Sequence, residues 1–191
     1  MINLELNNKT APEKGKVLIS DPFLEDSYFN RSVILLCDHN EEGSFGFVLN
    51  NYVDIDINEL IPDFPTIETK MALGGPVKTS NVYYLHNVGN LIQDSEEIIP
   101  GIFVGGSFED VKNGLISGTI TEKNIRFFVG YSGWSRGQLN HELKEKSWLV
   151  AEITKEDVMN TDMEKLWKKT LEKQGKEAKI ISQFPKNFKL N

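Results

Sequence analysis

The sequence is poor in the residues that most often announce a function. It has one cysteine, Cys37, in 191 residues. No internal disulfide can form, which excludes a disulfide-framed secreted domain. Arginine occurs only at Arg31, Arg126 and Arg136, and histidine only at His39, His86 and His141. The longest apolar run, Val33 to Cys37, is five residues, whereas a membrane-spanning helix needs about twenty. There is no repeat and no low-complexity tract. Met1 to Leu6 lacks the basic and apolar regions of a signal peptide. The expectation is a soluble, cytoplasmic protein with no membrane association.

What is present is ordinary for a globular chain: 39% hydrophobic and 26% charged residues. A chain of this length buries roughly 70% of its unfolded surface, enough for a core without staples. No linker interrupts the composition, so residues 1–191 are read as one domain.

The net charge of −7 and the three arginines argue against a duplex-DNA binder, which needs a basic face rich in bidentate donors. The charge is uneven. From Asn160 to Asn191 there are eight lysines and four acids, net +4, which leaves −11 on the remainder. The simplest reading is a solvated helix face, its lysines favouring the helix C-terminus. A docking patch for an acidic partner is the alternative.

Short strands dominate the pattern. Lys16–Ser20 is a strand that Asp21-Pro22 ends. Asp21 to Asn30 is an irregular loop. Ser32–Asp38 is apolar on both faces, the mark of a covered central strand. It returns through a loop of about five residues to a strand at Phe45–Asn50. Further strands fall at 70–73, 81–86, 98–105 (broken by Pro100-Gly101), 125–130 and 148–153. Helices are expected at 56–60, from Ser107 to Gly118, from Ser135 to about Glu145, and from Thr161 to Gly175. Ser107-Phe-Glu-Asp110, Ser135-Arg-Gly-Gln138 and Thr161-Asp-Met-Glu164 resemble capping boxes. Hairpin neighbours outnumber crossover units, which gives an α+β fold with a mixed or largely antiparallel sheet.

No catalytic motif is complete. Gly130-Tyr-Ser132-Gly-Trp134 sits where a nucleophile elbow would, but the elbow needs a small residue where Trp134 stands. Its glycines suit a tight turn under packed rings instead. Cys37 lies in the two-faced apolar strand and reads as an inert core thiol. The histidines never pair at metal-ligand spacing, so no metal is expected. The chain lacks a phosphate loop and a dinucleotide turn, so no cofactor is implied. Gly74-Gly75-Pro76 reads either as a strand-ending turn or as an anion nest. Arg31 either pairs with Glu25 or Asp26 or offers its guanidinium to a ligand.

Taken together, Lys16–Pro22, Arg31–Leu36, Asp38–Gly43, Gly46–Asn50, Leu73–Val77, Leu85-His86 and Gly130–Leu139 resemble the YqgE/AlgH family, in order and spacing from about residue 14 to 171. The resemblance implies a single-domain bacterial cytoplasmic protein. Its fold would be α+β: a mixed, largely antiparallel branched sheet with a small barrel-like portion, surrounded by helices. It implies little about activity, since the family is essentially uncharacterised and its transcriptional-regulator label is genetic rather than mechanistic. Asn140 stands where the family commonly has an acid, and Ser132 where it commonly has alanine.

Two readings follow. In the first, the protein is a non-catalytic binding or regulatory module for a protein or small-molecule partner. Its surface would comprise Arg31, His39, Asn50, Gly74, Gly75, His86, Tyr131, Trp134 and Gln138. In the second, Arg31, His39, Asn50, His86 and Gln138 converge in the polar pocket of a hydrolase-like enzyme. The first is favoured because no base and nucleophile pair can be named; the oligomeric state is open in both. From the charge, titration with duplex DNA at physiological salt should show no sequence preference. A specific site bound more tightly than about 10⁻⁷ M would contradict that.

Overall fold

The computed structural model describes residues 8–24, 26–160 and 165–185. The chain opens with β1 (Val17–Ser20), β2 (Val33–Asn40) and β3 (Gly43–Val48), an antiparallel meander. The short β4 (Tyr52–Val53) and α1 (Ile57–Leu60) lead to β5 (Met71–Leu73) and the long β6 (Val77–His86). Then come β7 (Glu96–Ile99), β8 (Ile102–Val104) and α2 (Phe108–Ser117), followed by the longest strand, β9 (Ile125–Ser135). The chain continues through α3 (Gln138–Lys144), β10 (Trp148–Ala151), α4 (Lys155–Met159), α5 (Leu166–Glu172) and α6 (Lys176–Ile181).

The fold is α+β, and the sheet is branched at β9. The main order is β10-β1-β2-β3-β9-β6-β8-β7, with β5 running parallel to β9 and carrying β4. Every other pairing is antiparallel. The outer half of β9 pairs with β3, Gly43 opposite Ser135 through Gly46 opposite Ser132. Its inner half lies between β6 and β5.

Among the described residues the sheet does not close into the expected barrel-like portion. Closure requires the end strands to pair, and β10 and β7 share no register. The β10 edge is instead tied by one side chain. Asn8 donates through Nδ2 to the Trp148 carbonyl at 2.9 Å and accepts the Val150 N–H at 2.5 Å.

The two-faced reading of β2 holds, and it explains why the sheet is covered on both sides. Val33, Leu35 and Cys37 pack with Phe47, Leu166, Trp167 and Leu171. Ile34 and Leu36 pack oppositely, with Trp134, Leu139 and Trp148. A third cluster gathers Ile125, Phe127 and Val129 beneath Phe64, Val111 and Ile120. Each such buried side chain contributes about 1.5–3 kcal/mol relative to exposure.

Three local expectations change. The β2–β3 hairpin turns on Glu41-Glu42 alone, because a bulge at Cys37 absorbs one residue between the Leu36–Gly46 and Asp38–Phe45 pairs. Ser135 does not cap α3; it ends β9, and left-handed Gly137 (φ 75°) starts the helix. Half the box survives, since Gln138 Oε1 accepts the Ser135 N–H at 3.0 Å. α2 is capped as expected, by the Ser107 hydroxyl at its start and Gly118 (φ 75°) at its end. The Thr161–Glu164 box lies outside the described residues. Gly175 separates α5 from α6 rather than ending the helical region.

Burial pushes the Cys37 thiol far above its ordinary range. A thiol reagent should therefore label the native protein slowly and the denatured protein fast. Rapid native labelling would contradict this placement.

Candidate functional site

The segment expected to be a turn, Gly130–Trp134, is strand. Gly130 takes a left-handed angle (φ 66°), and β9 then continues to Ser135 because β3 supplies its ladder. The Gly74–Pro76 segment crosses directly over it. A Cβ on Gly75 would come within 2.3 Å of the Tyr131 carbonyl, so only glycine permits this approach. The Gly74 amide donates to Val129 at 2.9 Å, and its carbonyl accepts the Val48 N–H at 2.9 Å and the Ser132 hydroxyl at 3.0 Å. That glycine pair is a packing device and not an anion nest. Ser132 is fully buried with its hydroxyl spent on Gly74.

One carboxylate fixes the outer half of β9. Glu142 Oε2 accepts from Trp134 Nε1 at 2.8 Å and from Trp148 Nε1 at 2.7 Å, and the two indoles meet edge to face at 6.1 Å. Gln138 Nε2 donates to Glu142 Oε1 at 3.0 Å. Both indoles are nearly inaccessible, at 6% and 3% exposure. Helix α3 presents Gln138 and Glu142 one turn apart on one face, which allows them to meet.

Two hollows flank this strand and share Gly133 and Trp134. One, about 460 Å³, lies beside Phe45 and Tyr131 and is edged by Asp38, Glu42 and Val77. The other, about 430 Å³, lies beside Phe29 and Trp148 and is edged by Asp26, Pro76 and Glu142. Neither is lined by any lysine or arginine. Tyr131 is half-buried, edge to face with Phe45 (6.2 Å) and Tyr83 (5.7 Å). A third hollow, about 470 Å³, between Lys70, Glu122, Lys123 and Asn160 contains none of the expected site residues.

Of the residues singled out in the sequence, Tyr131, Trp134 and Gln138 line these two hollows, and Gly74 and Gly75 pack directly behind them. The other four lie elsewhere, each in a structural bond. The Arg31 guanidinium donates to the Phe184 carbonyl and lies 4.8 Å from the Trp167 ring centre. Asn50 joins β2 to the preceding loop: its Oδ1 accepts the Val33 N–H at 2.9 Å, and its Nδ2 donates to the Arg31 carbonyl at 2.8 Å. His39 Nδ1 meets the Ser44 hydroxyl at 2.7 Å across the hairpin. His86 is fully buried against Phe103, its Nε2 directed at the Gly105 carbonyl at 3.1 Å. The five residues of the enzyme reading therefore do not share one pocket. Among the described residues, no three His, Cys, Asp or Glu side chains converge as metal ligands.

Comparison with known proteins agrees with this architecture. The AlgH-like family model matches residues 17–179. The chain belongs to the AlgH-like family. A UPF0301 protein of Parabacteroides distasonis is 40% identical over 187 residues, covering 97% of this chain and 94% of that one. Another from Bacteroides thetaiotaomicron is 42% identical over 180 residues, covering 94% and 91%. The solution structure of the AlgH protein from Pseudomonas aeruginosa superposes with a TM-score of 0.64 at 29% identity, over 80% of this chain and 85% of that one. A crystal structure from Corynebacterium diphtheriae shares the fold, with a TM-score of 0.76 at 24% identity over 93% and 95%.

Sequence reasoning missed the residue on which the AlgH-like site is built. Glu142 sits in an ordinary charged helix pattern, and nothing in that pattern marks it as the acceptor for the indoles of the strands before and after its helix. The C-terminal lysines are also partly committed: Lys169 and Lys173 bind Asp157 at 2.5 and 3.2 Å. Burial opposes charge on Asp157, but these lysines outweigh it and hold its carboxyl below the ordinary range.

Two predictions follow from the packing. Trp134→Ala should cost about 3–5 kcal/mol in chemical denaturation. Glu142→Ala, which strands two indole donors, should cost about 1.5–3 kcal/mol. A parent-like midpoint for either would contradict the anchor. His86 supplies the second. Burial lowers its pKa, and protonation would place a new N–H at Nδ1, which is buried with no acceptor. The unfolded chain binds that proton near pH 6.5. His86 thus costs nothing above that value, and stability falls as pH drops from it through the folded-state pKa. His86→Gln should flatten the fall between pH 7 and pH 5 (about the range in which histidine titrates); identical slopes would contradict the assignment.

Proposed function

We propose that this AlgH-like protein works by binding rather than catalysis, through the surface on either side of Gly133 and Trp134. One observation carries the reading: a strand segment locked by Glu142 separates two open hollows with aromatic floors, so a rigid element presents a pre-formed surface. Pre-formed surfaces bind at a lower ordering cost than flexible ones. The separation of Arg31, Asn50, His39 and His86 into individual structural bonds supports binding over a shared polar pocket. We propose further that the protein is cytoplasmic and acts as a single domain. Any effect on transcription would then pass through a partner, since the net charge of −7 does not suit duplex DNA. No helix among the described residues is long and apolar enough to cross a membrane.

The test is affinity capture from a bacterial lysate with the parent and two variants of matched stability. Tyr131→Ala alters the hollow floor, and a double charge reversal at Lys176 and Lys179 alters the far helical face. Partners or small molecules lost only with Tyr131→Ala support the reading. Loss only with the lysine variant would transfer the function to the C-terminal helices and overturn it.

A further inference from the structure

Strand β9 has an edge that nothing among the described residues pairs. On the side of β6 the ladder ends with Val77 opposite Tyr131, while on the side of β3 it runs on to Ser135. Residues 132–135 therefore carry a partner on one side only. Within a strand, successive residues direct their N–H and C=O to opposite edges. The orientation here is fixed by two contacts. A Cβ on Gly43 would lie 2.4 Å from the Trp134 carbonyl, so Trp134 faces β3. The Ser135 N–H points the other way, to Gln138 Oε1. Gly133, between the paired position at Ser132 and Trp134, thus directs its N–H and C=O to the open edge, and it is exposed.

We infer that this edge accepts an extended, basic segment of a partner polypeptide by strand addition. Three independent features agree. The outward Gly133 groups supply main-chain hydrogen bonds, which give affinity in such complexes. A hollow opens on each face of the strand at this point, so alternate side chains of the added strand enter opposite hollows. The charge is complementary to a cation: Asp38 and Glu42 edge one hollow, Asp26 and Glu142 the other, with no lysine or arginine in either lining. Phe45 and Tyr131 add ring faces that attract ammonium and guanidinium groups. An exposed unpaired edge is a liability that proteins otherwise blunt with lysine, proline or a covering element. β10 is tied by Asn8, and Pro76 borders one of the hollows beside Gly133, but among the described residues no strand pairs with the Gly133 edge. This inference rests on the proposed binding surface and names its partner class.

The probes are a synthetic decapeptide of five Lys-Val repeats, its Glu-Val counterpart, and the Lys-Val peptide N-methylated at alternate residues in each of the two phases. Binding is read by calorimetry and by tryptophan fluorescence. The Lys-Val peptide should bind, and the Glu-Val peptide should bind at least about tenfold more weakly. One N-methylated phase should lose about tenfold and the other much less. Gly133→Pro, which removes the outward N–H without touching the ladder to β3, should also lose about tenfold. If that variant proves unstable, the N-methylated peptides decide. Equal binding by both phases overturns strand addition. If Tyr131→Ala still weakens the peptide in that case, the binding surface stands without it; if no hollow variant matters, both fall. Failure of the Lys-Val peptide to bind at millimolar concentration overturns the basic-segment inference alone, because the capture experiment tests the surface separately.

Discussion

The fold depends on one strand having to satisfy three neighbours. β9 is eleven residues long, and no single partner covers it. Its inner half gives one edge to β6 and the other to β5, and its outer half gives one edge to β3. The branch follows from this division. So does the burial gradient along the strand: Ile125 to Gly130 are buried, and beyond them buried and open positions alternate. The same strand that holds three clusters together therefore delivers an exposed segment at its end.

Polar groups complete what apolar packing begins. Glu142 ties the outer half of β9 to α3 and β10 through two indoles. Arg126, on the inner half, is 3% exposed and donates to the Val158 carbonyl at 2.5 Å and the Leu49 carbonyl at 2.7 Å, beneath the Tyr52 hydroxyl at 3.5 Å. Its guanidinium also lies 5.3 Å from the Phe128 ring centre. Burial lowers its pKa, yet an arginine starts so high that it stays charged. One buried cation thus fastens the ends of β3 and α4 to β9. The Glu142 tether joins three consecutive elements and the Arg126 tether joins elements distant in sequence, and each leaves a stranded partner if cut.

Legibility in the sequence followed the range of the interactions. Apolar alternation on both faces of β2 is a local signal, and it was readable without neighbours. The Ser107 box was readable for the same reason. Ser135-Arg-Gly-Gln138 carries the same pattern and misleads, because Gln138 reaches a backbone N–H at a strand end as readily as at a helix start. Gly130–Trp134 looks like a turn because two glycines weaken strand propensity; register against β3 overrides that weakness. Tyr131, Trp134 and Gln138 lie within eight residues of chain, and that proximity keeps them at one place in the fold. Arg31, His39, Asn50, His86 and Gln138 are grouped in the enzyme reading only by being polar, and tertiary structure disperses the first four into separate bonds. Glu142 escaped notice because its two partners lie on different strands.

Native-state hydrogen exchange along β9 tests the central claim most directly. If one strand is both the hub of the core and an open edge, its amides should fall into two classes. Phe127, Phe128 and Val129 should exchange only through global unfolding. Gly133 should exchange orders of magnitude faster than they do, at a rate insensitive to mild denaturant, while Trp134, paired to β3, stays protected. Protection at Gly133 equal to that at Phe128 would mean that the edge is covered, and the account would be wrong at its centre.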